Sequence, residues 1–305
     1  MDLHVGAGPG QLARRRVHAM LGRRGTLKFL AGPPFAWLAL FFLLPLVLIA
    51  AFSLRAGSGA VGPSDPFAPT VEQYAEVLGT PAFVRLLGIS VAMALGIAAL
   101  ATLFAYPIAY FLTFRAGARA PMFLTLLLIP FAVSYLLRVM AWKLMLGPQG
   151  GINSLLGTLG LTDEPLGLLL YSRPAVIITL VYVWIPFAAL PVYAAMQRID
   201  RNHLEAAADL GAGPWSRFWR VTVPLSLPGA LATFFMVFIP TVGEYVTPAL
   251  VGGTDGIMYG NIIQGFFTRS ANWPMGSAMA MVMLVMTLTL VVIGLRIVNP
   301  RRLLT

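Results

Sequence analysis

Six stretches of this chain run for 18 to 29 residues without a single Asp, Glu, Lys or Arg: Phe29 to Leu54, Leu86 to Phe114, Ala120 to Leu137, Pro174 to Gln197, Val221 to Gly243, and Ser270 to Leu295. A helix needs about 20 apolar residues to cross a ~30 Å hydrocarbon core. In that core every backbone N–H and C=O must be satisfied within the segment, which selects helices. The expected fold is therefore all-α, a polytopic membrane protein with six transmembrane helices. Composition excludes the soluble alternative: 58% of the residues are hydrophobic and 10% charged, against about 25% charged in soluble domains.

Arg14, Arg15, Arg16, Arg23, Arg24 and Lys28 precede the first run, as in a signal peptide. The run is too long for a signal core and no small-residue cleavage site closes it, so it reads as a retained span. The third run is the shortest. It is expected to continue past Arg138 to Leu146, with Arg138 and Lys143 snorkelling. Pro45, Pro107, Pro130, Pro186, Pro191 and Pro240 fall inside the runs. Neighbouring helices in a bundle can satisfy the carbonyls that such prolines free.

Six spans place both termini on one side. Of the 21 Lys and Arg, 15 fall on that side and six on the other. The positive-inside rule makes the first side cytoplasmic. The division expected is a basic cytoplasmic segment at 1–28, a six-helix transmembrane domain at 29–298 with a cytoplasmic loop at about 198–224, and a cytoplasmic tail at 299–305. The net charge of +10 then has a topological origin, and no nucleic-acid partner is expected.

Motifs for chemistry are missing. Lys28 and Lys143 are the only lysines and neither completes a phosphate-binding loop. No serine stands in a nucleophile elbow. His4, His18 and His203 form no metal cluster, there is no cysteine, and no run holds the paired carboxylates of a proton relay. No catalytic or metal site is expected.

The information lies in the loop Asp200 to Trp215. Asn202 is positioned to cap a short helix with Glu205 three residues later, as in a capping box. Gly211 is positioned to end that helix in the left-handed conformation, and Pro214 to open the next. Trp215, Phe218 and Trp219 alternate with Arg217 and Arg220, a pattern suited to the headgroup layer. An ordinary amphipathic connector has the same local features.

The loop also resembles the EAA motif of ABC importer permeases: Glu-Ala-Ala, Gly four residues on, nine more residues, then Ile-x-Leu-Pro. Here it reads Glu205-Ala206-Ala207, Gly211 and Val221-Thr222-Val223-Pro224, with two valines for Ile and Leu. The resemblance runs from about Phe35 to Val298. It is greatest to the membrane subunits of spermidine/putrescine-type importers, through Tyr106-Pro107-Ile108-Ala109-Tyr110, Leu137-Arg138-Val139 to Trp142, Gly150-Gly151-Ile152-Asn153, Gly243-Glu244-Tyr245-Val246 to Gly252-Gly253, and Asn272-Trp273-Pro274. Where Asn272 stands, such permeases often have Asp.

The resemblance implies a type I ABC importer permease fold in a bacterial inner membrane. It implies a translocation path for a small solute, a polyamine above all, beside a second homologous permease. The further partners implied are an ATP-binding subunit dimer, an extracytoplasmic solute-binding protein and membrane lipid. It places ATP and Mg on the ATPase chains, so this chain itself needs no cofactor. Glu205, Ala206, Ala207, Gly211 and Pro224 would then form the ATPase-coupling element. A permease for another small solute and a self-sufficient secondary transporter are the alternatives.

Glu244 is the acidic residue nearest an apolar core. Counted from Pro228 it lies 16 residues on, or roughly 24 Å along a helix, in the outer third of the bilayer. A carboxylate there needs water or a partner. Either Glu244 and Tyr245 line the outer path of a cationic solute, or Glu244 pairs with an arginine or caps a helix end.

Overall fold

The computed structural model describes residues 23–57, 68–162, 164–169 and 171–298. Most of the basic segment at 1–28 and all of the tail at 299–305 lie outside them. The chain divides into two units, Met1–Phe52 and Ser53–Thr305.

The first unit carries helix α1 (Arg23–Leu38), a π-helical turn (Ala39–Leu43) and most of α2 (Leu44–Ser53). Leu30–Ser53 is apolar enough to cross a membrane. The π turn ends two residues before Pro45. A proline cannot donate to the carbonyl four residues back and its ring crowds it, and the wider π turn absorbs the mismatch. The same device recurs at Phe218–Thr222, two residues before Pro224.

The second unit contains α3 (Glu72–Gly79), α4 (Pro81–Phe114), α5 (Ala120–Leu128), α6 (Tyr135–Leu146), α7 (Gly151–Thr158), α8 (Arg173–Gln197), α9 (Arg201–Asp209), α10 (Pro214–Arg217), α11 (Val223–Val242), α12 (Tyr259–Thr268) and α13 (Trp273–Val298). Five helices of the described chain are long and apolar enough to span, and the bent pair Gly117–Ala132 and Tyr135–Thr158, counted as one span, makes a sixth.

That pair corrects the third span. The two arms meet at 88°, where continuity from Ala120 to Leu146 was expected. Pro130 sits in a 3-10 turn (Ile129–Ala132), and Val133 and Ser134 have ψ of 137° and 139°. Two extended residues after a proline turn cannot carry a helix onward. The second span begins at Pro81, five residues before the apolar run, and the fifth is helical from Pro214 to Val242.

The core is the mutual packing of α4, α8 and α11. In lipid this packing has no solvent-driven hydrophobic term and depends on close fit, so small residues mark the seams. Ala94, Ala98, Ala101, Ala105 and Ala109 of α4 are fully buried, recurring every three or four residues, as are Ala188 and Ala189 of α8. At Gly229 of α11 an added Cβ would collide with the Ala195 Cβ and stand 2.7 Å from the Pro191 carbonyl oxygen. One turn along, the Thr233 hydroxyl donates to the Ala188 carbonyl at 3.1 Å.

Many other hydroxyls turn back on their own helix. Ser90 donates to the Leu86 carbonyl, Thr113 to Ala109, Ser226 to Thr222, Thr241 to Val237 and Thr287 to Met283. This satisfies a polar group in an apolar medium without a partner helix. A smaller core at the other end of the bundle joins Val77 of α3, Leu87 of α4, Tyr259 and Ile263 of α12 and Met275 of α13.

Candidate functional site

The loop after α8 is shaped by its capping residues. Asp200, with ψ of 129°, is the N-cap of α9: its carboxylate accepts the Asn202 N–H at 3.0 Å and the Asn202 side-chain amide at 3.2 Å. This corrects the expected capping box. Helix α9 begins at Arg201, so Asn202 is already inside it and Glu205 lies mid-helix, exposed to solvent. The three-residue spacing of Asn202 and Glu205 is incidental.

At the other end Gly211 has φ of +82°. Its N–H donates to the Ala208 carbonyl at 2.8 Å and the Ala212 N–H to the Ala207 carbonyl at 2.9 Å. This pair of bonds is a Schellman stop. Nothing lies within 4 Å of a Cβ added at Gly211, so the requirement for glycine within this chain is conformational only. Glu205 and Ala206 are exposed and Ala207 half-buried. Leu210, between Asp209 and Gly211, is 89% exposed. Sequence reading missed it, because a leucine on a helical stretch ordinarily belongs to the buried face.

Pro214 opens α10 as its first residue. Phe218 then packs edge-on to Tyr110 and Tyr106 of α4, with ring centroids 5.5 and 6.3 Å apart, and Trp215 stacks on Phe218. The Ser226 hydroxyl lies 3.3 Å from that of Tyr106. Ring contacts thus join the loop to α4. Pro224 sits in the first turn of α11, immediately after the π turn.

Glu244 and Tyr245 lie just past the opposite end of α11, whose 20 residues rise about 30 Å. The structure keeps the two predicted groups of residues apart, one at each end of this span. Glu244 Oε1 accepts the N–H groups of Val246 at 2.9 Å and Thr247 at 3.1 Å. It therefore caps the helical turn that follows, and among the described residues Oε2 takes no backbone bond. Tyr245 is 46% exposed, and its carbonyl accepts the Asn261 amide at 2.7 Å.

The Thr247 hydroxyl bonds that of Tyr135 at 2.5 Å. Arg138 does not snorkel. It is buried against the rings of Phe131, 5.0 Å away, and Tyr135, 6.0 Å away. Helical side chains lean toward the N-terminus, and here that direction leads into the bend. Lys143 rests over the Tyr171 ring at 5.7 Å.

The carboxylate missing at Asn272 is explained by the same logic of caps. Asn272 Oδ1 accepts the Met275 N–H at 3.1 Å at the start of α13, and Asn caps a helix as well as Asp does. Asn153 of the Gly-Gly-Ile-Asn segment is buried, donating to the Gly147 carbonyl and accepting the Leu166 N–H, each at 2.9 Å. Among the described residues no group of three His, Asp or Glu is placed to hold a metal ion.

The family of binding-protein-dependent transport system inner membrane components matches residues 29–303. The spermidine/putrescine transport system permease protein PotB of Haemophilus influenzae is 36% identical over 265 residues, covering 86% of this chain and 90% of that protein. Its Escherichia coli counterpart is 36% identical over 258 residues, covering 84% and 92%. A chain of a bacterial ABC transporter for the acidic polysaccharide alginate has the same fold, with a TM-score of 0.68 at 16% identity over 93% of this chain and 99% of that one. The chain belongs to the family of binding-protein-dependent transport system inner membrane components and is the permease subunit of an ABC importer.

Proposed function

We propose that this chain and a second homologous permease form the path by which a polyamine of the spermidine/putrescine class enters a bacterial cell. The observation that carries the reading is 36% identity to PotB from two bacteria over 84% or more of this chain. Both termini and the 198–224 loop face the cytoplasm, as the distribution of basic residues supports. There α9, Leu210 and Gly211 dock on a separate ATP-binding subunit dimer. ATP-driven closure of that dimer moves the loop, and the ring contacts of Phe218 with Tyr110 and Tyr106 pass the movement to α4. At the outer side an extracytoplasmic binding protein delivers the solute.

Glu244 and Tyr245 line the outer end of the path. Capping uses only Oε1, so the carboxylate holds its turn in place while Oε2 faces an ammonium group. Hydrogen bonds to charged groups are worth about 1.5–3 kcal/mol, or roughly 10- to 100-fold. The test is ATP-dependent uptake of labelled putrescine and spermidine by the four-part complex in proteoliposomes, for wild type and Glu244→Gln. Gln keeps the capping oxygen and loses the charge. The expected result is at least tenfold slower uptake at unchanged thermal stability. Wild-type uptake by an assembled Glu244→Gln complex removes Glu244 from the path. ATP-dependent uptake of a different solute, with none of a polyamine, overturns the solute. Uptake without the ATPase overturns the coupling.

A further inference from the structure

Two apolar grooves meet at Pro107 of α4, seven residues before the helix ends at Phe114, about 10 Å along the axis. One, of about 320 Å³, is walled by Pro107, Tyr110, Pro214, Trp215 and Phe218. The other, of about 430 Å³, lies between α4 and α5, with Ile108, Phe111, Phe123 and Leu126 among its walls. Around them Leu103, Phe104, Met122 and Leu126 are exposed, a surface suited to hydrocarbon.

Four arginines follow or precede the groove walls closely along the chain. Arg217 adjoins Phe218 and its Nε is buried with no hydrogen-bond partner. Arg220 follows by three residues. Arg115 comes four residues after Phe111 and Arg119 four before Phe123, one helical turn in each case. None of these four arginines has an ion pair among the described residues, although Asp200, Glu205 and Asp209 belong to the same loop as two of them. Trp215 is 73% and Trp219 51% exposed, as in an aromatic belt at headgroup level.

We propose that these grooves are the binding site of an anionic phospholipid, its two acyl chains on either side of Pro107 and its phosphate held by Arg217 with the neighbouring arginines. Apolar walls with uncompensated cations beside them in the chain match an anionic lipid and fit neither a free anion nor a zwitterionic lipid as well. The occupant would brace the Trp215–Phe218–Tyr110 contacts, through which the loop meets α4, so lipid composition would bear on coupling. The site is independent of which solute is carried.

The test uses the assembled complex in nanodiscs of phosphatidylcholine with increasing phosphatidylglycerol. Quenching of Trp215 and Trp219 by brominated acyl chains is read, with Trp215→Phe and Trp219→Phe locating the signal. Lipid retained through purification is counted by native mass spectrometry. Brominated phosphatidylglycerol is expected to quench at lower mole fraction than brominated phosphatidylcholine. Arg217→Gln and Arg220→Gln should each weaken that preference about fivefold, the worth of one cation at an anionic surface. Leu126→Trp, which fills a groove and leaves the charges, should lower retention of phosphatidylglycerol. Excess inorganic phosphate should displace nothing. Equal quenching by the two lipids in wild type, or an unchanged preference in the Arg217→Gln complex, overturns the site. If the arginine variants fail to assemble, the wild-type comparison and Leu126→Trp still decide.

Discussion

Gly211→Asp is expected to yield a complex that assembles normally yet imports solute at least tenfold more slowly. Gly211 holds φ of +82° at the Schellman stop of α9. In the left-handed region a side chain costs about 1–2 kcal/mol, with Asp among the more tolerant residues. A Cβ there meets nothing within 4 Å in this chain. The added carboxylate therefore has little to disrupt in the subunit itself. It projects beside Leu210, whose 89% exposure leaves an apolar side chain for another protein to cover. A charge desolvated at such a contact is penalised far more than at a free surface. Gly211→Ala carries the conformational cost without the charge and should retain most of the activity. The measurement is binding-protein-stimulated ATP hydrolysis and uptake, with assembly followed by co-purification of the ATPase. If Gly211→Asp and Gly211→Ala fall equally, the effect is conformational, and the docking role of this surface is wrong.

Gly229→Val should be the most damaging single change to the bundle. Its side chain would enter a close approach of α11 to α8, against the Ala195 Cβ and the Pro191 carbonyl. Neither is the movable end of a long side chain, so the helices must separate. Overpacking costs about 1–3 kcal/mol for a few methylenes where side chains can adjust, and backbone contact allows less adjustment. Separation would also stretch the Thr233 bond to the Ala188 carbonyl. The expected outcome is loss of most folded protein in detergent size-exclusion profiles. Gly229→Ala should be intermediate, with a lowered melting temperature. Gly88→Ala in α4, where nothing lies within 4 Å, provides the control and should be neutral or slightly stabilising, since alanine is the better helix former. A wild-type melting temperature for Gly229→Val would mean that this seam is loose.

Hydropathy made the spans legible, because a charge-free run of 20 residues has few alternatives in any solvent. It concealed the 88° bend, because Pro130 to Ser134 carry no charge and leave the apolar run unbroken, and a bend concerns backbone bonds. The left-handed stop at Gly211 was legible because glycine in that position serves one purpose. The N-cap was misplaced by two residues, since Asp200 and Asn202 are both good caps and only backbone geometry chooses between them. Arg138 was misjudged for a similar reason: snorkelling is the habit of a cation near a helix end, but here the helix end lies inside the protein. Leu210 was not legible at all, as its exposure follows from how α9 stands off the bundle.

The hydroxyls that turn back on their own helices have a consequence for motion. Among the described residues no hydrogen bond joins α4 to α8, although these two share the most extensive contact in the bundle. Their cohesion is dispersion between small side chains, which depends on fit and is regained wherever the surfaces mesh again. A shift of one rod along the other breaks no hydrogen bond between the two and is felt at the bonds that α11 makes to each, Ser226 to Tyr106 and Thr233 to Ala188, so alternative registers differ by few directional bonds. An equilibrium between such registers lies within reach of a few kcal/mol of differential binding. Its temperature dependence should be shallow, and pH and ionic strength should act on the charged loops and leave the seam untouched.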